Sequence, residues 1–180
     1  IELVRQHVVW LRIPLRCAIE VIRGTPLLVQ LFLLYYAAPE IGLLIDAEPA
    51  GMIGMSIYAS AYFAEIFRAG FASIPKGQIE AASSFGLSPG RILWRIQLPQ
   101  MACLIIPPSV NQIITLVKDS AMLSIITVPE LTKHATKVMN ETFEIAEPLC
   151  ILALLYWILS ELVTCFGRRV EKGLTRHLVH

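Results

Sequence analysis

The sequence contains few charged residues. Asp, Glu, Lys and Arg make up 16% of its 180 residues, whereas they make up about a quarter of an ordinary soluble domain. The basic residues are scattered between apolar blocks and form no basic stripe interleaved with aromatics, which argues against nucleic-acid binding. Apolar residues account for 56% of the chain. We therefore expect an all-α integral membrane protein with lipid as a partner and no nucleic acid.

Signatures of a catalytic centre are also missing from the sequence. It contains no Gly-rich phosphate loop, no Ser/His/Asp arrangement and no closely spaced histidines. The four cysteines lack the CxxC spacing or any other spacing typical of metal ligands. We expect this chain to have no catalytic residues, no cofactor of its own and no metal site.

The N-terminal end of the sequence lacks the features of a natural start. It begins with Ile1 instead of Met, and no basic segment followed by an apolar one precedes the first helix. We expect the natural chain to begin earlier, with one further span in front.

Apolar stretches of membrane-spanning length are the dominant feature of the sequence. A helix needs about 17 to 25 residues to cross the hydrocarbon core, and three stretches meet this need: residues 51–67, 101–117 and 149–166. The run Leu27–Ala38 crosses only if its helix begins near Leu15 and bends near Pro26. Residues 120–128 are too short to cross and predict a re-entrant or buried segment. The sequence thus predicts four spans.

Lys and Arg are distributed unequally between the two sides of these spans. Three of the 15 fall on one side, which is also rich in Asp and Glu, and the other twelve fall on the opposite side. Basic residues favour the cytoplasm. We therefore expect both chain ends and the loop at about 68–95 to be cytoplasmic.

The loop at about 68–95 predicts two short helices. Gly77 is expected to act as a breaker, followed by a helix over Gln78–Phe85 that ends at Gly86. Ser88 is a suitable N-cap for a second short helix. A solvated connector is the alternative interpretation of such a loop.

A motif in this loop resembles the EAA signature of ABC importer permeases. The signature is EAA, three residues, Gly, nine residues and then I-x-L-P, and its positions are occupied by Glu80, Ala81, Ala82, Gly86, Ile96, Leu98 and Pro99. The resemblance implies that the loop forms a coupling helix in a groove of a cytoplasmic ATPase subunit. Glu80, Ala81, Ala82 and Gly86 would then be the ATPase-coupling residues.

Longer segments of the chain resemble the polar amino acid uptake permeases, the histidine, glutamine, arginine and opine group. These segments are residues 23–36, 61–78 and 116–131, and Tyr58 stands where many members carry Asn. The resemblance implies the type I ABC importer fold, with residues 1–180 forming one permease domain that has four of five spans. It also implies a bacterial inner membrane location, a second permease subunit, a periplasmic substrate-binding protein and two ATPase subunits that bind ATP and Mg.

Polar residues follow Pro107 and Pro108 in the predicted span 101–117. The prolines remove backbone donors and are expected to bend or break this helix. Beyond them, four polar residues share or adjoin one helix face: Asn111, Gln112, Thr115 and Asp119. They form either a polar seam between helices or a lining of the translocation path.

In the second interpretation, Asp119 meets a substrate ammonium or pairs with Lys118, and Gln30, Tyr58 and Tyr62 complete the path. Two other carboxylates in predicted spans suggest structural roles instead. Glu65 is expected to pair with Arg68, and Glu161 is expected to reach water or Arg168.

Two other classes of membrane protein remain as alternatives. A secondary carrier would need an ionisable pair or an ion site deep in the bilayer and repeat symmetry between its halves, and the sequence shows neither. A membrane anchor that only assembles partners would not require the polar face beyond Pro108.

Overall fold

The computed structural model describes residues 2–175, with side chains for residues 12–173. Every regular element in this part of the chain is helical, which confirms the all-α prediction. The α-helices are α1 (Glu2–Gly24), α2 (Leu27–Phe32), α3 (Ala47–Ala72), α4 (Lys76–Ser84), α5 (Pro89–Ile92), α6 (Leu98–Asp119), α7 (Leu131–Thr142) and α8 (Ala146–Thr175). Four tighter or wider helical turns connect them: Leu33–Ala37 (π), Ala38–Ile41 (3₁₀), Leu93–Gln97 (π) and Ser120–Ile126 (3₁₀). The expected placement of the chain ends concerns Ile1 and residues 176–180, which lie outside the described residues.

Three helical segments are long and apolar enough to cross a membrane: Ala47–Ala72, Pro89–Ile126 and Ala146–Gly173. They contain the three apolar stretches that the sequence predicts as spans. The expectation of a break at Pro107 and Pro108 was wrong, because α6 continues through both residues. The proline ring fixes a φ angle that an α-helix can adopt, and spanning helices tolerate proline where neighbouring groups satisfy the freed carbonyls.

The chain turns sharply between α1 and α2. Residues 12–24 and 27–41 meet at an angle of 107°, so the predicted bend near Pro26 is confirmed as a full break in the helix. Proline lacks an N–H and disfavours helical backbone in the residue before it, here Thr25. The bent pair is either a broken fourth span or a re-entrant segment, so the described residues contain three or four candidate spans.

The side chain of Gln30 forms hydrogen bonds across this break. Its Nε2 donates to the carbonyl oxygens of Ile22 at 2.7 Å and Thr25 at 3.1 Å, and to Thr25 Oγ1 at 2.9 Å. The last carbonyls of a helix have no partner within the helix. Gln30 thus satisfies backbone groups that the end of α1 would otherwise leave unpaired.

We expect Gln30→Leu to destabilise the fold by about 1 kcal/mol, because the part-buried carbonyl oxygens of Ile22 and Thr25 lose a hydrogen-bond donor. Thermal unfolding of the purified protein in detergent would measure the loss as a lower Tm. Asn140→Leu is the control, since Asn140 is an exposed amide on α7. Equal Tm values for the two variants would contradict the bracing role of Gln30.

The described chain divides into two compact units. The first comprises residues up to Tyr62 together with Asp119–Leu152. Its core consists of Leu27, Leu31 and Ile126, with Leu31 and Ile126 fully buried. Ile126 is fully buried, whereas Ile125 in the same segment is 47% exposed, so the short apolar segment 120–128 is packed inside protein only in part.

The second unit comprises Phe63–Lys118 and the chain from Ala153 onward. Glycines allow its helices to approach closely: a Cβ on Gly167 would lie 2.5 Å from both methyl groups of Val110, and one on Gly70 would collide with Ile105. Both predicted ion pairs are confirmed in this unit. Arg68 Nε donates to Glu65 Oε2 at 2.8 Å, and an Arg168 terminal nitrogen donates to Glu161 Oε1 at 2.8 Å.

Candidate coupling segment and polar cluster

Helix α4 contains the EAA residues and begins earlier than the sequence predicts. It starts at Lys76, with Pro75 in the N-cap position, and includes Gly77 in its first turn. The prediction that Gly77 breaks the helix was therefore wrong. Glycine keeps its backbone N–H and costs a helix only about 0.5–1 kcal/mol in conformational entropy, which does not prevent a helix from starting here.

The C-terminal end of α4 lies where the sequence predicts it, at Gly86. The φ angle of Gly86 is +77°, in the left-handed region that glycine adopts without a Cβ clash. Two backbone bonds close the end: Gly86 N–H donates to Ser83 O at 2.9 Å and Leu87 N–H to Ala82 O at 3.2 Å. This pattern is the Schellman motif, and it turns the chain from α4 toward α5.

We expect Gly86→Val to destabilise this turn by about 1–2 kcal/mol, because a β-branched residue is strained at positive φ. Hydrogen–deuterium exchange at the amides of Gly86 and Leu87 would report the loss as faster exchange. Gly90→Val is the matched control, because nothing lies within 4 Å of a Cβ at Gly90 and its φ is not positive. Unchanged protection in the Gly86 variant would show that the turn does not depend on glycine.

The EAA residues differ in exposure. Glu80 and Ala81 are exposed, whereas Ala82 is 6% exposed and packs against the protein. A hydrogen bond of 2.8 Å from Gln100 Nε2 to Gln78 Oε1 joins α6 to α4. Residues 76–86, called the coupling segment below, thus present Glu80 to solvent. The side chain of Gln78 connects this segment to the spanning helix α6.

The second short helix of the loop is not separate from the following span. Ser88 precedes α5 as predicted, although its side chain makes no capping hydrogen bond. From α5 the chain passes through the π-helical turn into α6, and Pro89–Ile126 form one helical segment of 38 residues. No residue between Ile92 and Leu98 interrupts the helix, because the sequence contains neither Gly nor Pro there.

Three of the predicted path residues are brought together in the first unit, with a fourth residue that the sequence did not indicate. The ring centroids of Tyr58 and Tyr62 are 4.7 Å apart, and Asp119 lies near enough to Tyr58 for a charge interaction. Arg23 Cζ lies 5.4 Å from the centroid of the Tyr62 ring, within cation–π distance. A guanidinium, two phenols and a carboxylate thus form a polar cluster, defined here as Arg23, Tyr58, Tyr62 and Asp119.

Sequence reasoning counted Arg23 only among the basic residues of one side. Its position in the sequence could have indicated a functional role. Arg23 is the penultimate residue of α1 and lies three residues before the helix-breaking Pro26. A charged residue at a break within an apolar region is a candidate for a functional role.

The other predicted path residues have different surroundings. On α6, Thr115 Oγ1 donates to Asn111 O at 3.0 Å, and both residues are exposed, as is Lys118. Gln112 is 8% exposed, and its Nε2 has no hydrogen-bond partner within the described part of the chain. Gln30 directs its amide to the break after α1.

Comparisons with known proteins identify the family to which this chain belongs. Residues 3–176 match the family model described as "Binding-protein-dependent transport system inner membrane component". A probable amino-acid ABC transporter permease of Bacillus subtilis is 40% identical over 162 residues, which cover 90% of this chain and 72% of the relative. The arginine transport system permease of the same organism is 38% identical over 156 residues, covering 86% and 71%.

Solved structures agree with this placement. The crystal structure of an amino acid ABC transporter with histidines superposes with a TM-score of 0.82 at 37% identity, covering 88% of this chain and 74% of that one. An inward-facing methionine ABC transporter, at 21% identity, shares the fold with a TM-score of 0.75, covering 91% and 76%. The chain therefore belongs to the family of binding-protein-dependent transport system inner membrane components and has the transmembrane fold of type I ABC importers.

Proposed function

We propose that this chain is the permease subunit of an ATP-driven importer for a polar amino acid or an amino acid derivative. The observation that carries the proposal is the complete EAA motif in a chain of this family, with Glu80 exposed on helix α4 and Gly86 at the turn that follows it. The relatives named above are amino-acid permeases, which supports the substrate class. The chemistry of ATP hydrolysis then belongs to partner subunits, and this chain supplies the path and the coupling.

The assembly that fits this function contains two permease and two ATPase subunits. The second permease is a copy of this chain or a homologue, and the ATPases bind ATP and Mg at the cytoplasmic side. A periplasmic binding protein delivers the substrate to the outer face. The excess of Lys and Arg on the side of α4 supports a cytoplasmic position for this helix and for both ends of the chain.

Coupling in this arrangement is mechanical. The ATPases can drive the permease only if their nucleotide-bound state favours one of its conformations over the other. Glu80 offers an exposed carboxylate for a charge-assisted contact with an ATPase subunit. Movement of α4 passes to the spans through the Gly86 turn and through the bond between Gln78 and Gln100.

The polar cluster provides the chemistry that a zwitterionic substrate requires. The carboxylate of Asp119 can bind an α-ammonium group, the guanidinium of Arg23 can bind an α-carboxylate, and the tyrosine rings lie beside both. We assign side-chain contacts in the path to the polar residues of α6, which are Asn111, Gln112, Thr115 and Lys118. Gln112 supports this assignment, since its buried amide nitrogen is available as a donor.

Reconstitution tests the proposed function. The permease is assembled in proteoliposomes with the ATPase and binding protein encoded beside it, and uptake of radiolabelled amino acids is measured with and without ATP. We expect uptake that requires ATP, Mg and the binding protein. Uptake driven by an ion gradient without ATP would establish a secondary carrier instead, and the absence of both transport and ATPase association would favour a membrane anchor.

A further inference from the structure

A pocket of about 380 Å³ lies within the first unit, between the turns that follow α2 and the start of α3. Its polar lining consists of Tyr35, Tyr36 and Asp46, and its apolar lining includes Pro39 and Leu44. The pocket shares no residue with the coupling segment or with the polar cluster. It is therefore a separate feature of the molecule.

The backbone around the pocket explains how the two tyrosines come to line it together. Leu33–Ala37 form a π-helical turn, and such turns are rare and occur frequently at functional sites. The rings of Tyr35 and Tyr36 pack edge to face, with centroids 4.8 Å apart. The chain then reverses at Gly42, whose φ of +83° requires glycine, and this reversal returns Asp46 to the side of the tyrosines.

Asp46 provides the charge of the pocket. Its backbone oxygen accepts from Ala50 N–H at 2.9 Å at the start of α3, and its side chain is exposed. Among the side chains described, those of residues 12–173, the structure shows no hydrogen bond or ion pair to the Asp46 carboxylate. A carboxylate beside two electron-rich tyrosine rings attracts a cation.

The shape and composition of the pocket favour an organic cation over a metal ion. Among the described residues no group of three His, Cys, Asp or Glu side chains could hold a metal, and one carboxylate is a poor metal site. Aromatic rings bind alkylammonium groups through their faces, and the volume is in the range of small-molecule sites.

We propose that this pocket binds the ammonium group of a small organic amine. Two sources carry this group, the ethanolamine headgroup of a membrane phospholipid and the α-ammonium of an amino acid. The apolar side chains around the pocket would suit a lipid, since Ile41, Leu43 and Leu44 are 76%, 54% and 86% exposed. The site adds a binding function that neither transport nor ATPase coupling requires.

Native mass spectrometry of the purified transporter tests the lipid source. The detergent-solubilised complex is titrated with phosphatidylethanolamine or phosphatidylglycerol, and the bound lipid is counted. We expect Asp46→Asn to weaken phosphatidylethanolamine binding about fivefold or more. Glu48→Gln is the matched control, because Glu48 is an exposed carboxylate two residues away that does not line the pocket.

Saturation-transfer NMR with free ethanolamine and glutamine, in micelles without phospholipid, tests the soluble source. An Asp46-dependent signal from the free amines alone would support the ammonium site and assign it to a soluble amine. Equal lipid and amine binding by Asp46→Asn and the unsubstituted protein would overturn the proposal. An equal loss in Glu48→Gln, or an equal loss of phosphatidylglycerol, would also overturn it, because the effect would then be unspecific to the pocket or to the ammonium group.

Discussion

Replacing Glu80 by Lys is expected to reduce ATP-driven uptake at least about tenfold while the permease remains folded. Glu80 is exposed on α4 and forms no part of the buried core, so the substitution should cost the isolated permease little stability. An opposite charge at an interface replaces a charge-assisted attraction with repulsion, and such reversals cost several kcal/mol. The loss should therefore appear in association with the ATPase and in substrate-stimulated ATP hydrolysis.

The measurement combines three readings on the same preparation: Tm of the permease, co-purification of the ATPase, and uptake in proteoliposomes. Glu48→Lys imposes the same change of charge on an exposed carboxylate in the first turn of α3, away from the coupling segment. We expect this control to leave ATPase association intact. Wild-type uptake and association in Glu80→Lys would remove α4 from the coupling role.

Local sequence signals predicted the features that depend on a few neighbouring residues. The three spans follow from apolar runs of sufficient length. The end of α4 follows from Gly86, which adopts a positive φ directly after the helix. The ion pair of Glu65 with Arg68 follows from their spacing of three residues on one helix. In each case the residues that form the feature lie within a short stretch of chain.

Features that depend on tertiary packing could not be obtained in this way. Pro107 and Pro108 are expected to interrupt a helix in isolation, yet α6 continues through them because a membrane helix gains stability from its surroundings. The 107° break before α2 has a local cause in Pro26, but its angle depends on the bonds that Gln30 makes across it. The contact of Arg23 with Tyr62 joins residues from two helices, and no pattern within either helix encodes it.

Substituting Asp119 by Asn is expected to reduce uptake about tenfold or more, with ATPase association unchanged. The substitution keeps the size of the side chain and removes its negative charge, so the α-ammonium of a bound amino acid loses its charged partner. Removal of one partner of a charge-assisted contact costs about 2–5 kcal/mol when the other charge is left unpaired. Steady-state uptake with saturating substrate-loaded binding protein would show the effect as a lower maximal rate, because the binding protein delivers the substrate to the permease.

The same variant distinguishes a substrate path from a structural polar seam. If Asp119 serves only to join helices through Tyr58, then Asp119→Asn should lower Tm and leave the maximal uptake rate of the folded complex unchanged. If Asp119 binds substrate, that rate should fall while Tm changes by little more than in Thr115→Val, a control that removes one exposed hydroxyl from α6. An unchanged maximal rate together with a lower Tm would therefore refute the proposed contact.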